Sequence, residues 1–147
     1  MRLVIDNTVM SNFALVGRTQ WLHEVWPGIM VTSEDAWDEL QAGIRLGRIP
    51  DNDWSWLTVL SLTELECTAR DELMPPLARS RGYAFLTDDR VARREARRLG
   101  VAISGTIGLL VSLIERGYVS LEEADEALRQ MIAAGYYSPV RSLGELG

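Results

Sequence analysis

The chain predicts an α/β fold, a three-layer sandwich of helices around a central parallel sheet. Two observations carry that prediction. Short apolar runs of strand length alternate with segments of helical spacing along most of the 147 residues, and such alternation builds parallel βαβ units. The most prominent runs, Val4-Ile5 and Phe85-Leu86, each end abruptly in carboxylate and hydroxyl residues, Asp6-Asn7-Thr8 and Thr87-Asp88-Asp89. Continuous apolar runs bounded by polar turn residues suit strands buried on both faces.

Residues 3–6 read as the first strand and 8–16 as a helix that Gly17 ends. A second helix over 19–25 is stopped by Pro27-Gly28. Ile29-Met30-Val31 is a short strand. Thr32 or Ser33 then caps a helix that turns Ala36, Trp37 and Leu40 towards the core and closes near Gly43. Residues 45–53 read as a loop and 56–60 as a strand, rich in the residue types strands favour. Residues 62–77 have a helical composition, yet Pro75-Pro76 would break a helical hydrogen-bond ladder. A strand at 84–87, a helix at 89–99 and a strand at 101–103 follow. Two helices close the chain, 105–116 and 120–134, the second opened by a capping box from Ser120 to Glu123. A single domain is expected over 1–147, with a core over about 1–104 and a helical extension over about 105–147, because this length supports one full core and not two.

Composition removes several function classes. No apolar stretch approaches the roughly 20 residues a spanning helix needs, and Met1-Arg2 leads straight into a strand-like run without a signal-peptide layout. A cytoplasmic chain with no membrane partner is the expectation. Cys67 and His23 are the only residues of their types, so thiolate clusters, intrachain disulfides and multi-histidine metal sites are excluded. All 15 basic residues are arginine; without lysine there is no P-loop and no Schiff base. The net charge of −6 opposes broad attachment to nucleic acid, so any such contact must be local.

Strand-to-helix turns place Asp6 and Asp88-Asp89 at one edge of the sheet, where open α/β sheets bind ligands. Glu39, on the helix after the second strand, and Asp71, ahead of the 84–87 strand, are further candidates. Carboxylates converging on one point repel and raise one another's pKa unless a cation neutralises them. One or two Mg²⁺ or Mn²⁺ ions resolve that conflict and equip the site for attack on a phosphodiester. Other roles stand beside these. Asp6 suits an N-cap of the following helix, and Thr8 suits either capping or orienting Asp6. Glu39 shares its helix with Glu34, Asp35 and Asp38, which is also how a solvated face reads.

Asp6-Asn7-Thr8, Glu39 before Leu40, and Leu86-Thr87-Asp88-Asp89 together resemble the PIN-domain nucleases, in particular the compact VapC-like toxins of toxin–antitoxin pairs. Asp6 matches the opening Asp, Glu39 the acid before leucine, Asp89 the terminal Asp of a Leu-Thr-x-Asp pattern, and Asp71 the remaining acid. The stretch from Phe85 to Arg93, then Leu99-Gly100-Val101, Ser104-Gly105-Thr106-Ile107-Gly108 and the Gly135-Tyr136-Tyr137-Ser138 ending, is similar to a PIN-related subgroup of mostly unassigned function. The resemblance implies a PIN-like sandwich with two added C-terminal helices. It implies catalytic and metal-holding roles for Asp6, Glu39, Asp71 and Asp89, support from Thr8 and Asp88, and a cognate antitoxin as partner. One departure stands out. Asp71 runs into Glu72-Leu73-Met74-Pro75-Pro76 instead of an unbroken helix, so Glu72, Glu64 or Glu66 could supply the third acid.

Arg90, Arg93, Arg94, Arg97 and Arg98 fall on one helical stripe. It reads as a solvated face, as a row of RNA-phosphate contacts, or as a dock for an acidic partner segment. Leu109, Leu110, Leu113, Ile114, Leu128, Met131 and Ile132 suggest that the last two helices form a homodimer surface, or else cover one face of the sheet. His23 reads as a surface residue and Cys67 as small core filler. The five tryptophans read as core and interface residues. The expected function is a Mg²⁺- or Mn²⁺-dependent endoribonuclease, the toxin of a toxin–antitoxin pair. The alternative is a catalytically degraded PIN-fold module that binds or regulates. A phosphatase or a phospho-accepting receiver domain is disfavoured because both usually bring an essential lysine.

Overall fold

The computed structural model describes residues 2–61, 83–98 and 100–146. Five strands form one all-parallel sheet: β1 (Arg2–Ile5), β2 (Met30–Ser33), β3 (Thr58–Leu60), β4 (Tyr83–Leu86) and β5 (Ala102–Ser104), in spatial order β3-β2-β1-β4-β5. Among the described residues the helices are α1 (Asn7–Leu15), α2 (Thr19–Val25), α3 (Glu34–Arg45), α4 (Arg90–Arg98), α5 (Thr106–Glu115) and α6 (Leu121–Ala133), with a final 3₁₀ turn at Leu143–Leu146. The protein is thus the α/β/α sandwich that strand–helix alternation dictates.

Side chains alternate across each strand and so feed two cores. Leu3 and Ile5 of β1, Met30 of β2 and Leu86 of β4 enter the larger one. Val4, Val31, Leu60 and the packed Phe85 face the other way. The register aligns them, Val4 standing opposite both Val31 and Phe85. Successive steps β1 to β2 to β3 run in one direction, and the step β4 to β5 runs in the other. Right-handed crossovers therefore put α1, α2 and α3 on one face and α4 on the opposite face.

Local signals place the helix starts. Ser33 accepts the Ala36 N–H and caps α3, while the Thr32 hydroxyl donates to the Ile5 carbonyl at 2.6 Å, tying β2 to the end of β1. Of the two residues considered for that cap, Ser33 holds it. The capping box opens α6, with Ser120 and Glu123 each accepting the other's backbone N–H.

The last two helices turn their apolar side chains inward. Leu109, Leu110, Leu113, Leu128 and Met131 are buried within the chain, and Ile114 and Ile132 pack against the same core. These side chains complete the chain's own larger core, which is the second of the two roles expected for them. Trp21, Trp26 and Trp54 are buried in that core and Trp37 and Trp56 lean on it; His23 is exposed and stacks on Trp56 at 5.2 Å. Asp71, its substitutes Glu64, Glu66 and Glu72, the Pro75-Pro76 segment and Cys67 lie outside the described residues. No helix among the described residues is long and apolar enough to cross a membrane.

Candidate active site

The order β3-β2-β1-β4-β5 reverses direction between β1 and β4. Crossover helices leave such a point on opposite faces and open a crevice beyond the carboxyl ends of the two strands. Asp6 follows β1 and Thr87-Asp88-Asp89 follows β4, so both segments end at that crevice. The ladder continues one residue past the strands: Asp6 N–H donates to Leu86 O at 2.8 Å and Thr87 N–H to Ser104 O at 3.0 Å.

Asp6 is the N-cap of α1, one carboxylate oxygen accepting the Asn7 N–H at 2.8 Å. The other oxygen accepts the Thr87 hydroxyl at 2.8 Å, with Thr8 Oγ1 at 3.5 Å. Thr87 is fully buried, and its Oγ1 also accepts the Asp89 N–H at 3.1 Å. Thr8 Oγ1 accepts the Asp88 N–H at 3.0 Å. These two hydroxyls therefore stitch the β1 and β4 turns together. Thr87 is the residue that links Asp6 to Asp89.

The adjacent aspartates have opposite surroundings. Asp88 turns inward. One of its oxygens accepts the Thr106 N–H at 3.0 Å and the Tyr136 hydroxyl at 3.4 Å; the other accepts the Thr106 hydroxyl and the Asn12 amide at 3.2 Å. Its negative charge sits at the N-terminus of α5, where helical N–H groups favour it. Burial, and then the Asp88 charge, push the Tyr136 phenol above the usual tyrosine range, so it stays protonated and donating. Asp89 turns outward, exposed, with one oxygen accepting the Val91 N–H at the start of α4. Arg93 donates to the Thr87 carbonyl at 2.9 Å and fixes the turn from the far side.

Gly105 makes this packing possible. A Cβ there would stand 2.5 Å from an Asp88 oxygen, 2.9 Å from Arg93 Nη1 and 3.0 Å from Thr87 O. Gly105, Asn12, Thr87, Thr106 and Tyr136 are site-building residues to which the sequence assigned no site role, although all but Asn12 lie in the motifs quoted for the resemblance. A partial signal existed in Asn12, a polar residue one helical turn after Thr8 among the buried Val9, Met10, Phe13 and Ala14.

The other expected residues are placed less centrally. Glu39 is exposed on α3, six residues past β2. Among the described residues no three His, Cys, Asp or Glu side chains stand close enough to hold a metal ion. Asp6 and Asp89 stand at the crevice, and the described residues gather no third acid with them. Lone pairs decide which acids suit a cation. A carboxylate offers about four acceptor positions; Asp88 has them filled, whereas Asp89 has one oxygen without a hydrogen bond among the described residues. Asp6 and Asp89 thus fit a hard divalent cation in donor type, and the described set is incomplete in number. Of the arginine stripe, Arg93 is half-buried at the turn, Arg98 pairs with Glu95, and Arg90 lies over the Tyr137 ring; Arg94 and Arg97 are exposed and make no ion pair among the described residues.

No curated protein and no solved structure matches the chain. A model of the PIN domain, a nuclease-type fold, matches residues 2–146, and the chain belongs to that family.

Proposed function

We propose that the protein is a divalent-metal-dependent endoribonuclease of PIN type, acting as the toxin of a toxin–antitoxin pair. The observation that supports it most is the pairing of Asp6 with Asp89 through Thr87 at the sheet's switch point. Asp6 and Asp89 would hold Mg²⁺ or Mn²⁺, with Glu39 or Asp71 completing the set. Bound there, the ion would supply Lewis-acid stabilisation of phosphate charge and lower the pKa of an attacking water.

The chain's own contribution is preorganisation. Thr87 and Thr8 hold Asp6 in one rotamer, and Thr87 also aligns the Asp89 backbone. Asp88, its oxygens taken up by Asn12, Thr106 and Tyr136, fixes α1, α5 and the C-terminal segment around the crevice. Arg90, Arg93, Arg94, Arg97 and Arg98 would bring RNA phosphates to that edge, since guanidinium forks match phosphate oxygens. The single histidine is stacked on Trp56, so no imidazole serves as general base. The toxin role and the cognate antitoxin rest on the family resemblance, and a cytoplasmic setting is proposed with them.

A second reading keeps the fold as a binding or regulatory module that cleaves nothing. It is favoured by the placement of Glu39, exposed on α3 and not gathered with Asp6 and Asp89. One assay separates the two. RNA cleavage by the purified chain should appear with Mg²⁺ or Mn²⁺, vanish with chelator, and fall by at least about a hundredfold in Asp6→Asn, the scale of losing roughly 2.7 kcal/mol or more of charge stabilisation. Metal-independent activity, or activity that survives Asp6→Asn, would sink the nuclease reading at this site.

A further inference from the structure

A cleft of about 580 Å³ opens beside Asp88, between the start of α4, the β5–α5 turn and the segment after α6. Its size is that of a small-ligand site. Arg90, Arg93, Tyr136 and Tyr137 line it, and Gly105 and Gly108 leave it unobstructed by side chains. Nothing in the carboxylate site requires this cleft. Asp88 is the one acid in its lining, and both Asp88 oxygens are engaged by Thr106, Asn12 and Tyr136. Against the single carboxylate of Asp88 stand the two guanidiniums of Arg90 and Arg93, so the lining carries a net positive charge. Arg93 uses one N–H on the Thr87 carbonyl, and a guanidinium has five.

Tyr137 is 85% exposed, the most exposed large apolar side chain among the described residues, and the Arg90 guanidinium lies 6.0 Å from its ring centroid. An exposed ring beside a guanidinium pair offers a stacking surface and an anion site at once. Those are the two needs of a nucleotide whose base has left its stack.

We infer that this cleft is a nucleotide subsite, holding one unstacked nucleotide of a single strand with its phosphate on Arg90 and Arg93 and its base against Tyr137. The inference rests on the nuclease reading for its relation to the cleaved bond, since Asp89 immediately precedes Arg90. A duplex keeps its bases stacked inside and cannot use the ring, so the substrate class is single-stranded. An acidic peptide would use the arginines and not the stacking face.

The test uses the full chain carrying Asp6→Asn in chelator, titrated into a labelled single-stranded oligoadenylate and followed by anisotropy. Adding Tyr137→Ala should weaken binding roughly 5- to 100-fold, the range for losing one base–aromatic stack. Tyr137→Phe should bind like the starting chain, which separates the ring from the hydroxyl. Arg90→Gln should flatten the salt dependence by roughly 0.7 in log–log slope. Four results would overturn the subsite: no binding by the starting chain, unchanged binding in Tyr137→Ala, equal loss in Tyr137→Phe, or loss confined to Arg90→Gln, as a peptide dock would give. Cleavage by the parent chain with Mn²⁺ is measured alongside. A stacking loss without any cleavage keeps the subsite and rejects the nuclease, whereas cleavage with unchanged binding and KM in Tyr137→Ala does the reverse.

Discussion

Asp88 and Asp89 are neighbours in sequence with the same side chain, and their surroundings give them different work. Asp88 accepts from the backbone N–H and the side-chain hydroxyl of Thr106 at the start of α5, from Asn12 of α1 and from Tyr136. Changing it to Asn turns an acceptor into a donor that faces other donors, at a cost of about 1–3 kcal/mol for each group left unsatisfied. Asp89 accepts one helical N–H at an exposed N-cap position, where Asn caps about as well as Asp. Asp88→Asn should therefore lower unfolding stability by about 2 kcal/mol or more, and Asp89→Asn by a few tenths at most. Millimolar Mn²⁺ should raise the melting temperature of the parent, because an ion bound only by the folded chain stabilises it by mass action. Asp89→Asn should abolish most of that gain. Equal stability losses in the two variants, or a metal gain untouched by Asp89→Asn, would show that these roles are misassigned.

At the scale of elements, strand ends and helix starts were legible because their causes are local. Asp6 closes an apolar run, Ser33 and Ser120 sit where a cap must sit, and the boundaries read from sequence differ from the observed ones by a residue or two. The polar girdle around Asp88 was not legible. Asn12 lies 76 residues from its partner and Thr106 lies 18 away, so only the folded sheet brings them together. Glu39 is different: its place before Leu40 is a local pattern, but helix rotation decides whether it faces the crevice or solvent, and on α3 it is exposed. The α4 stripe shows a pattern that folding divides. Arg93 braces the Thr87 carbonyl and Arg98 pairs with Glu95, which holds that carboxyl below its usual range. Arg94 and Arg97 carry the remaining test. If they meet RNA phosphates, Arg94→Gln with Arg97→Gln should weaken RNA binding and flatten its salt slope by roughly 0.7 for each phosphate no longer neutralised. If they meet only solvent, relief of like-charge repulsion should stabilise α4 by about 0.2–0.5 kcal/mol and leave binding unchanged. Binding and stability move independently in the two cases, so one double variant decides.

For the whole molecule, the β1–β4 reversal determines where chemistry gathers, and the last two helices determine what surface remains for partners. Leu110, Leu113, Leu128 and Met131 are fully buried in one chain, so a homodimer cannot draw on them without opening the core. Among the described residues the exposed large apolar side chains, Leu46, Val91, Tyr118, Leu121, Tyr137 and Leu146, come from different parts of the chain. Stable homodimers bury a contiguous apolar area of about 1,200–2,000 Å² or more in total, and isolated exposed residues on separate elements are ordinary surface. A homodimer is thus a proposal that has to rest on another face, and charge complementarity is the remaining resource: the α4 arginines on one side and the Glu122, Glu123 and Glu126 face of α6 on the other. Such a contact would be screened by salt, because the Debye length falls from about 10 Å at 0.1 M to about 3 Å at 1 M. Sedimentation equilibrium at low and high salt over a wide concentration range measures this directly. A mass of 16.5 kDa at every condition would reject the homodimer. Twice that mass at low salt, collapsing as salt rises, would support a charge-held pair, and the α4 arginines would then be shared between a second chain and RNA. A salt-insensitive dimer would instead demand an apolar interface, which the described surface does not supply.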